Sequence, residues 1–205
     1  MKLTWLGHAC FLLESREGSA VFDPYEPGSV PGLALPPLTA DAVLCSHGHH
    51  DHSYAVGVKL SGREPAFSVT EIPCFHDGKK GLLRGKNLIR TVEAEGLRVA
   101  HLGDLGHALD AGQLAALGRV DVLLIPVGGH YTIGPAEADA LCRALKPRLT
   151  VPMHYRGPGF GYEVIAPAEE FLKLRGQVVR AEGNRFDPLD YPEGTTLLPA
   201  CPKAT

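Results

Sequence analysis

Three histidines and one aspartate lie within a six-residue segment of the chain and could ligate metal ions. They are His47, His49, Asp51 and His52. Imidazole nitrogens and carboxylate oxygens are common ligands of zinc and related divalent metals. A histidine-rich surface loop would have the same composition, but this segment is internal and follows the apolar run 41–45. The pattern therefore predicts a metal site where a strand ends.

Three more candidate ligands each follow an apolar run. They are His76, Asp104 and His154. In layered α/β folds, functional side chains gather where strands end, so we expect these residues near the first motif. His101 is the alternative to His76, although it also fits a buried core histidine. Cys45 and Cys74 lie close to these candidates, but buried apolar thiols are the favoured interpretation.

A series of strands followed by alternating strands and helices must position these residues. Apolar patterns predict strands at 2–6, 9–14, 20–23, 42–45, 66–70, 87–94, 97–102, 121–126, 148–151 and 177–180. Capping residues, glycines and prolines predict helices at 110–118, 134–145 and 167–175, and a helix beginning just after the first motif with Asp51 near its start. The proline-rich segment 25–40 is predicted to be a long loop, and 188–205 an irregular tail with its last residues disordered.

Composition sets the broad class. The chain has 205 residues, of which 44% are hydrophobic and 21% are charged, and this favours one α/β domain spanning 1–205. A net charge of -3 without a basic stripe gives no reason to expect nucleic acid. Five scattered cysteines argue against a disulfide framework, and no apolar segment resembles a signal peptide or a membrane span. We therefore expect a cytoplasmic protein.

Several segments together resemble the metallo-β-lactamase superfamily. Besides the His-x-His-x-Asp-His motif, they are the opening segment 1–13, Val21–Pro24, Leu102–Asp104, Ile125–Gly129 and Val151–Tyr155. The last two are similar to the compact branch of L-ascorbate-6-phosphate lactonase-like proteins, and the matches follow family order to about residue 165. The resemblance implies an αββα four-layer sandwich with the metals at one edge of two sheets.

The resemblance also implies a ligand set for two divalent metal ions. One metal would be held by His47, His49 and His76, and the other by Asp51, His52 and His154, with Asp104 bridging both. Zinc suits these ligands, and manganese or iron are alternatives. With two carboxylates and one bridging hydroxide the centre stays positive, so it would polarise a carbonyl or phosphoryl oxygen and activate water. Asp51 and Asp104 are thus the predicted catalytic carboxylates.

Four further residues are candidates for substrate binding. His8 follows a strand end, and the resemblance places it near the mouth of the site. His130 lies in a glycine-rich turn before a helix, where His130 or Tyr131 could orient an anionic substrate. Tyr155 and Arg156 follow His154 directly. An exposed loop histidine and a surface arginine are the plainer interpretations of His130 and Arg156.

The resulting hypothesis is a binuclear hydrolase that cleaves a small, anionic ester, lactone or phosphoester with a metal-bound hydroxide. The alternatives are a metallo-phosphodiesterase or nuclease, and a metal-loaded sensor without catalysis. A small-molecule substrate is expected, with no membrane partner, and a homo-oligomer fits the lactonase-like branch.

Overall fold

The computed structural model describes residues 1–202. In chain order, the strands are β1 (Lys2–Gly7), β2 (Cys10–Ser15), β3 (Gly18–Phe22), β4 (Leu38–Ala40), β5 (Ala42–Leu44), β6 (Val58–Leu60), β7 (Ser68–Phe75), β8 (Lys86–Ala94), β9 (Leu97–His101), β10 (Val122–Pro126), β11 (Leu149–Met153), β12 (Val178–Arg180), β13 (Arg185–Phe186) and β14 (Thr195–Leu198). The α-helices are α1 (Ala111–Leu117), α2 (Pro135–Leu145) and α3 (Ala168–Leu172), and short 3-10 turns span Ala55–Gly57 and Pro188–Asp190.

Two sheets carry most of these strands. The N-terminal sheet has five strands in the order β13-β1-β2-β3-β5, and the C-terminal sheet has seven in the order β12-β14-β11-β10-β9-β8-β7. The hydrophobic core contains residues of both sheets. His101 on β9 links them, because its ring stacks on Phe22 of β3 at 5.1 Å and its Nε2 lies 2.8 Å from the Ala9 carbonyl oxygen.

Strand direction determines which side chains meet at the sheet edge. In the C-terminal sheet, β9, β10 and β11 are parallel, and β7 runs the same way because it is antiparallel to β8, which is antiparallel to β9. By the same reasoning, β1, β3 and β5 of the N-terminal sheet share one direction. The residues that follow these strands therefore gather at one edge of each sheet. They are His8, Asp23, His47, His76, Asp104 and His154.

Most of the strand predictions are confirmed, and the exceptions have local causes. The Glu95-Gly96 turn joins β8 to β9 with both residues at positive φ, as a tight hairpin turn requires. The predicted loop 25–40 contains β4, which pairs with β6, and the predicted irregular tail contains β14, which pairs with β11 and β12. These strands are short or lie among prolines, so their apolar alternation was too weak to detect. Residues 203–205 of the tail lie outside the described residues.

The helix predicted after the first motif is wrong. Residues 47–52 form consecutive bends and turns, and the next helical element is the 3-10 turn Ala55–Gly57. The turn is closed by the His52 N–H, which donates to the His49 carbonyl oxygen at 2.9 Å. Helices α1 and α2 match their predictions, with Asp110 capping α1 and Pro135 in the first turn of α2. Helix α3 is shorter than predicted. No helix within residues 1–202 is long and apolar enough to cross a membrane.

Candidate metal centre

One group of potential ligands contains His47, His49 and His76. Their nitrogens lie within 4.8 Å of one another. His47 Nε2 and His49 Nδ1 are 3.1 Å apart. The rings of His47 and His49 lie 4.8 Å and 5.1 Å from that of His76. Three nitrogens that converge in this way can hold a metal ion and leave a further position open.

A second group contains His8, Asp51, His52 and His154, again with ligand atoms within 4.8 Å of one another. Asp51 Oδ2 lies 3.3 Å from His8 Nε2 and 3.6 Å from His52 Nε2. His8, His52 and His154 are buried. The structure therefore adds His8 to the three residues that sequence reasoning placed around this position.

Asp104 lies between the two groups and is 2% exposed. Its Oδ2 is 3.1 Å from His76 Nε2 and 3.2 Å from His154 Nε2, and its Oδ1 is 3.2 Å from His52 Nε2. The backbone N–H of Asp104 donates to Asn87 Oδ1 at 3.0 Å, which fixes the turn after β9. This carboxylate touches members of both groups, as a bridging ligand must.

The electrostatics of the cluster keep its carboxylates ionised and favour neutral imidazoles at His47 and His8. Burial lowers the pKa of His47 to about 3 and that of His8 to about 4. Burial alone would raise the pKa of Asp104, but His154 and His52 outweigh it and hold that pKa well below its usual range. For His52, burial acts to lower the pKa, but Asp104 and Asp23 outweigh it and raise the pKa in the absence of a metal ion.

Unpartnered polar atoms test whether the residues fit a metal ion. His52 Nε2 and Asp104 Oδ1 are buried and, among the described residues, make no hydrogen bond. They face each other at 3.2 Å without hydrogen-bond geometry. Buried polar atoms are rarely left without a partner, because losing water costs about 1–3 kcal/mol per group. A cation would satisfy both atoms at once, so the donor set fits divalent metal ions.

A second layer of hydrogen bonds orients the ligands. His52 Nδ1 lies 2.8 Å from Asp23 Oδ2, and Asp23 also accepts hydrogen bonds from the N–H and the hydroxyl of Ser46. His76 Nδ1 lies 3.1 Å from the Tyr131 carbonyl oxygen. Such contacts fix the tautomer and ring orientation of ligating histidines. Asp23 is the clearest functional residue that sequence reasoning missed as such.

Backbone strain is concentrated in the same place. His8, Asp23 and His154 have φ values of 51°, 42° and 52°, a region that non-glycine residues seldom occupy. The His154 N–H donates to the His8 carbonyl oxygen at 3.2 Å, so two of these residues are joined through their backbones. Strain of this kind persists where the surrounding structure enforces it, typically at functional sites.

His101, the alternative to His76, is not placed to be a ligand. Its Nε2 lies 2.8 Å from the Ala9 carbonyl oxygen, and its Nδ1 accepts from the Gly103 N–H at 3.1 Å. Both ring nitrogens are therefore occupied. Cys74 is buried and accepts a hydrogen bond from Asn87, and neither it nor Cys45 belongs to a ligand group within residues 1–202.

A pocket of about 290 Å³ opens onto the cluster. Among the described residues it is lined by His49, Asp51, His76, Arg84, Asp104, Tyr131, His154 and Tyr162. Arg84 and Tyr162 were not predicted as site residues, whereas Tyr131 was the alternative to His130 as a residue that orients substrate. Tyr162 is positioned by contacts between two loops. Its hydroxyl lies 2.8 Å from the Ser29 carbonyl oxygen and 3.1 Å from Asp51 Oδ2. Its only sequence signal is an aromatic residue directly after a glycine-rich run.

The predicted substrate-binding residues lie elsewhere. His130 is exposed and its ring packs only edge-on to Tyr131, because the glycine-rich turn presents Tyr131 to the pocket instead. Tyr155 is 5% exposed and stacks on Trp5 in the core. Arg156 is exposed and donates from Nε to the Ile165 carbonyl oxygen. None of these three residues lines the pocket, and their role in substrate binding stays a prediction. His8 is buried within the ligand cluster rather than at the mouth of the site.

Comparisons with known proteins identify the family of the chain. The family model described as "Beta-lactamase superfamily domain" matches residues 2–154. A UPF0173 metal-dependent hydrolase of Archaeoglobus fulgidus is 33% identical over 195 residues, covering 76% of this chain and 83% of the relative. A Pyrococcus furiosus protein of the same name is 30% identical over 215 residues, covering 86% of this chain and 93% of the relative.

A solved structure is also similar over nearly the whole chain. It is a Thermotoga maritima protein, provisionally named a Zn-dependent hydrolase of the metallo-β-lactamase superfamily. It has 35% sequence identity and a TM-score of 0.77, and the match covers 97% of this chain and 98% of that one. The predicted metallo-β-lactamase fold is thus confirmed. The chain belongs to the metallo-β-lactamase superfamily and, within it, to the UPF0173 metal-dependent hydrolases.

Proposed function

We propose that the protein is a binuclear hydrolase of a small, anionic ester, lactone or phosphoester. The observation that carries the proposal is the position of Asp104, whose two carboxylate oxygens lie within 3.2 Å of histidines from both ligand groups. A single buried carboxylate shared in this way is what two neighbouring cations require. The pocket volume of about 290 Å³ favours a small molecule, because it is at the lower end for ligand sites.

In this proposal each group of ligands holds one metal ion, and His8 of the second group contacts Asp51 Oδ2 at 3.3 Å instead of ligating the metal. His47, His49 and His76 would hold the first, Asp51, His52 and His154 the second, and Asp104 would bridge them. Five imidazoles with two carboxylates suit zinc, as the provisional name of the Thermotoga maritima relative also suggests. Manganese and iron remain alternatives for the same donors.

When bound, such ions would polarise the scissile carbonyl or phosphoryl group and lower the pKa of water. The protein itself contributes orientation and charge. Burial alone would raise the pKa of Asp51, but its hydrogen bond with His8 and the nearby His52 outweigh this and keep it below its usual range. Asp51 is therefore ionised at neutral pH, and its Oδ2 accepts a hydrogen bond from the Tyr162 hydroxyl at 3.1 Å. These contacts hold the carboxylate in one position at the wall of the pocket.

A substrate panel tests the proposal. The protein is stripped of metal, reconstituted separately with zinc, manganese or iron, and assayed on lactones, bis-p-nitrophenyl phosphate and thioesters. We expect turnover of at least one class, lost on metal removal and restored by reconstitution. Turnover that is unchanged after complete metal removal would contradict the proposal. A phosphodiester preference would instead favour the phosphodiesterase alternative.

A further inference from the structure

Arg84 is the only lysine or arginine that lines the pocket among the described residues. Its guanidinium carbon lies 5.4 Å from the centre of the Tyr131 ring, which also lines the pocket. Within residues 1–202, the Arg84 guanidinium makes no ion pair and no hydrogen bond. By contrast, Arg90, Arg98 and Arg175 each pair with a carboxylate. The Arg84 guanidinium lies at the wall of the pocket and pairs with no carboxylate of the described residues, so it is available to bind an anionic ligand.

The loop that carries Arg84 is held in one conformation. The Asp77 carboxylate, which is 3% exposed, accepts hydrogen bonds from the backbone N–H groups of Lys79, Gly81, Leu83 and Arg84. The base of the loop is closed by the His76 N–H, which donates to the Gly85 carbonyl oxygen at 3.1 Å. The Arg84 backbone is thus fixed next to the ligand His76.

Glycine at position 81 is needed for this loop. Its φ is 82°, and a Cβ there would lie 2.9 Å from the Gly85 carbonyl oxygen. This close packing adds to the hydrogen bonds with Asp77 that hold the loop backbone in one conformation. A fixed support lowers the entropy that a side chain loses when it binds a ligand.

We propose that Arg84 recognises an anionic group of the substrate, a carboxylate or a phosphate, at the wall of the pocket. The inference rests on the proposed function and extends it to a residue that sets substrate class. A guanidinium presents N–H groups in a planar fork that matches the oxygens of either anion, whereas lysine offers only a point charge. The Tyr131 ring supports the cation by a cation–π contact.

The test measures anion binding without turnover. Metal-reconstituted protein is titrated calorimetrically with inorganic phosphate and, separately, with acetate. Arg84→Met removes the charge and the N–H fork but keeps an extended side chain. Lys79→Met is the matched control, because Lys79 is an exposed cation of the same loop that does not line the pocket. Metal content and the thermal unfolding midpoint are measured on every sample.

We expect Arg84→Met to weaken binding by about tenfold or more, the usual size of a lost charge-assisted contact. Lys79→Met should bind like the parent protein, and Arg84→Lys should fall between. Weakening for phosphate alone assigns the anion as a phosphate, and weakening for acetate alone assigns a carboxylate. If Arg84→Met loses metal, Arg84→Gln replaces it with the same expected loss. Equal affinity of the Arg84 variants and the parent, or no binding of either anion by the parent, would overturn the proposal.

The two proposals fail separately. Intact, Arg84-dependent anion binding with no turnover on the substrate panel would remove the proposed function and leave the anion site. Turnover on the panel with the same KM in Arg84→Met as in the parent protein would support the proposed function and remove the role of Arg84. On an active substrate, the variant should raise KM for an anionic ester but not for a neutral ester with the same leaving group.

Discussion

Replacing Asp104 by asparagine is expected to remove at least one metal ion per chain and to lower kcat/KM by about 100-fold or more. Asparagine keeps the size of the side chain but loses its negative charge, and one oxygen becomes an NH2 group that cannot ligate a metal. In the parent protein, Asp104 Oδ2 lies 3.1 Å from His76 Nε2 and its Oδ1 lies 3.2 Å from His52 Nε2. Either orientation of the amide therefore removes an oxygen from at least one group of histidines.

The measurement combines elemental analysis with steady-state kinetics on the same samples. Asp190→Asn is the matched control, because Asp190 is exposed and belongs to no ligand group among the described residues. It should keep full metal content and activity. An Asp104→Asn variant that retains both metals and full activity would show that Asp104 is structural and that the bridging role is wrong.

Replacing Asp23 by asparagine is expected to weaken metal affinity by roughly 10–100-fold, although Asp23 belongs to no proposed ligand set. Its Oδ1 accepts from the Ser46 N–H at 2.6 Å, and its Oδ2 faces His52 Nδ1 at 2.8 Å. If the new NH2 group faces Ser46, it lies against the Ser46 N–H, and neither of these two donors has an acceptor there. If it faces His52, it favours the tautomer whose proton is on Nε2, and that nitrogen can then no longer donate a lone pair to a metal.

Metal affinity for the Asp23 variant is measured by competition with a chelator, together with the free energy of unfolding of the metal-free protein. The left-handed backbone at Asp23 suits asparagine, so the substitution adds little strain. Asp41→Asn is the matched control: Asp41 also accepts from a serine N–H and a serine hydroxyl, but it contacts no histidine within residues 1–202. If Asp23→Asn and Asp41→Asn have the same metal affinity, Asp23 does not orient His52.

The sequence was most informative where ligand chemistry and strand ends coincide. His76, Asp104 and His154 each follow an apolar run, which was enough to make them candidate ligands, and the structure shows that their strands share one direction. Their division between two metal ions came from the resemblance to the metallo-β-lactamase superfamily. The choice between His76 and His101 needed the structure. Both follow apolar runs, and only the contacts of His101 with Ala9 and Gly103 show that its nitrogens are already occupied.

The walls of the pocket could not be predicted, because they depend on contacts between distant loops. Tyr162 reaches Asp51 through packing of its loop against residues 29–31, which are more than 100 positions away along the chain. Tyr131 rather than His130 lines the pocket, because of the conformation of the turn at Gly129 and His130, both of which have positive φ. The sequence does not show which of two neighbouring residues such a turn directs to the pocket. The helix expected after the motif does not form for a similar reason. The backbone makes a tight turn at His49–His52, closed by the hydrogen bond from the His52 N–H to the His49 carbonyl oxygen, instead of continuing as a helix.

The number of metal ions per chain tests the central claim most directly. Protein stripped by a chelator and reconstituted with zinc, then freed of excess metal, is analysed by elemental analysis against its chain concentration. The two groups of ligands joined by Asp104 predict two metal ions per chain. One ion per chain that excess zinc does not raise, or well under one, would contradict a binuclear centre.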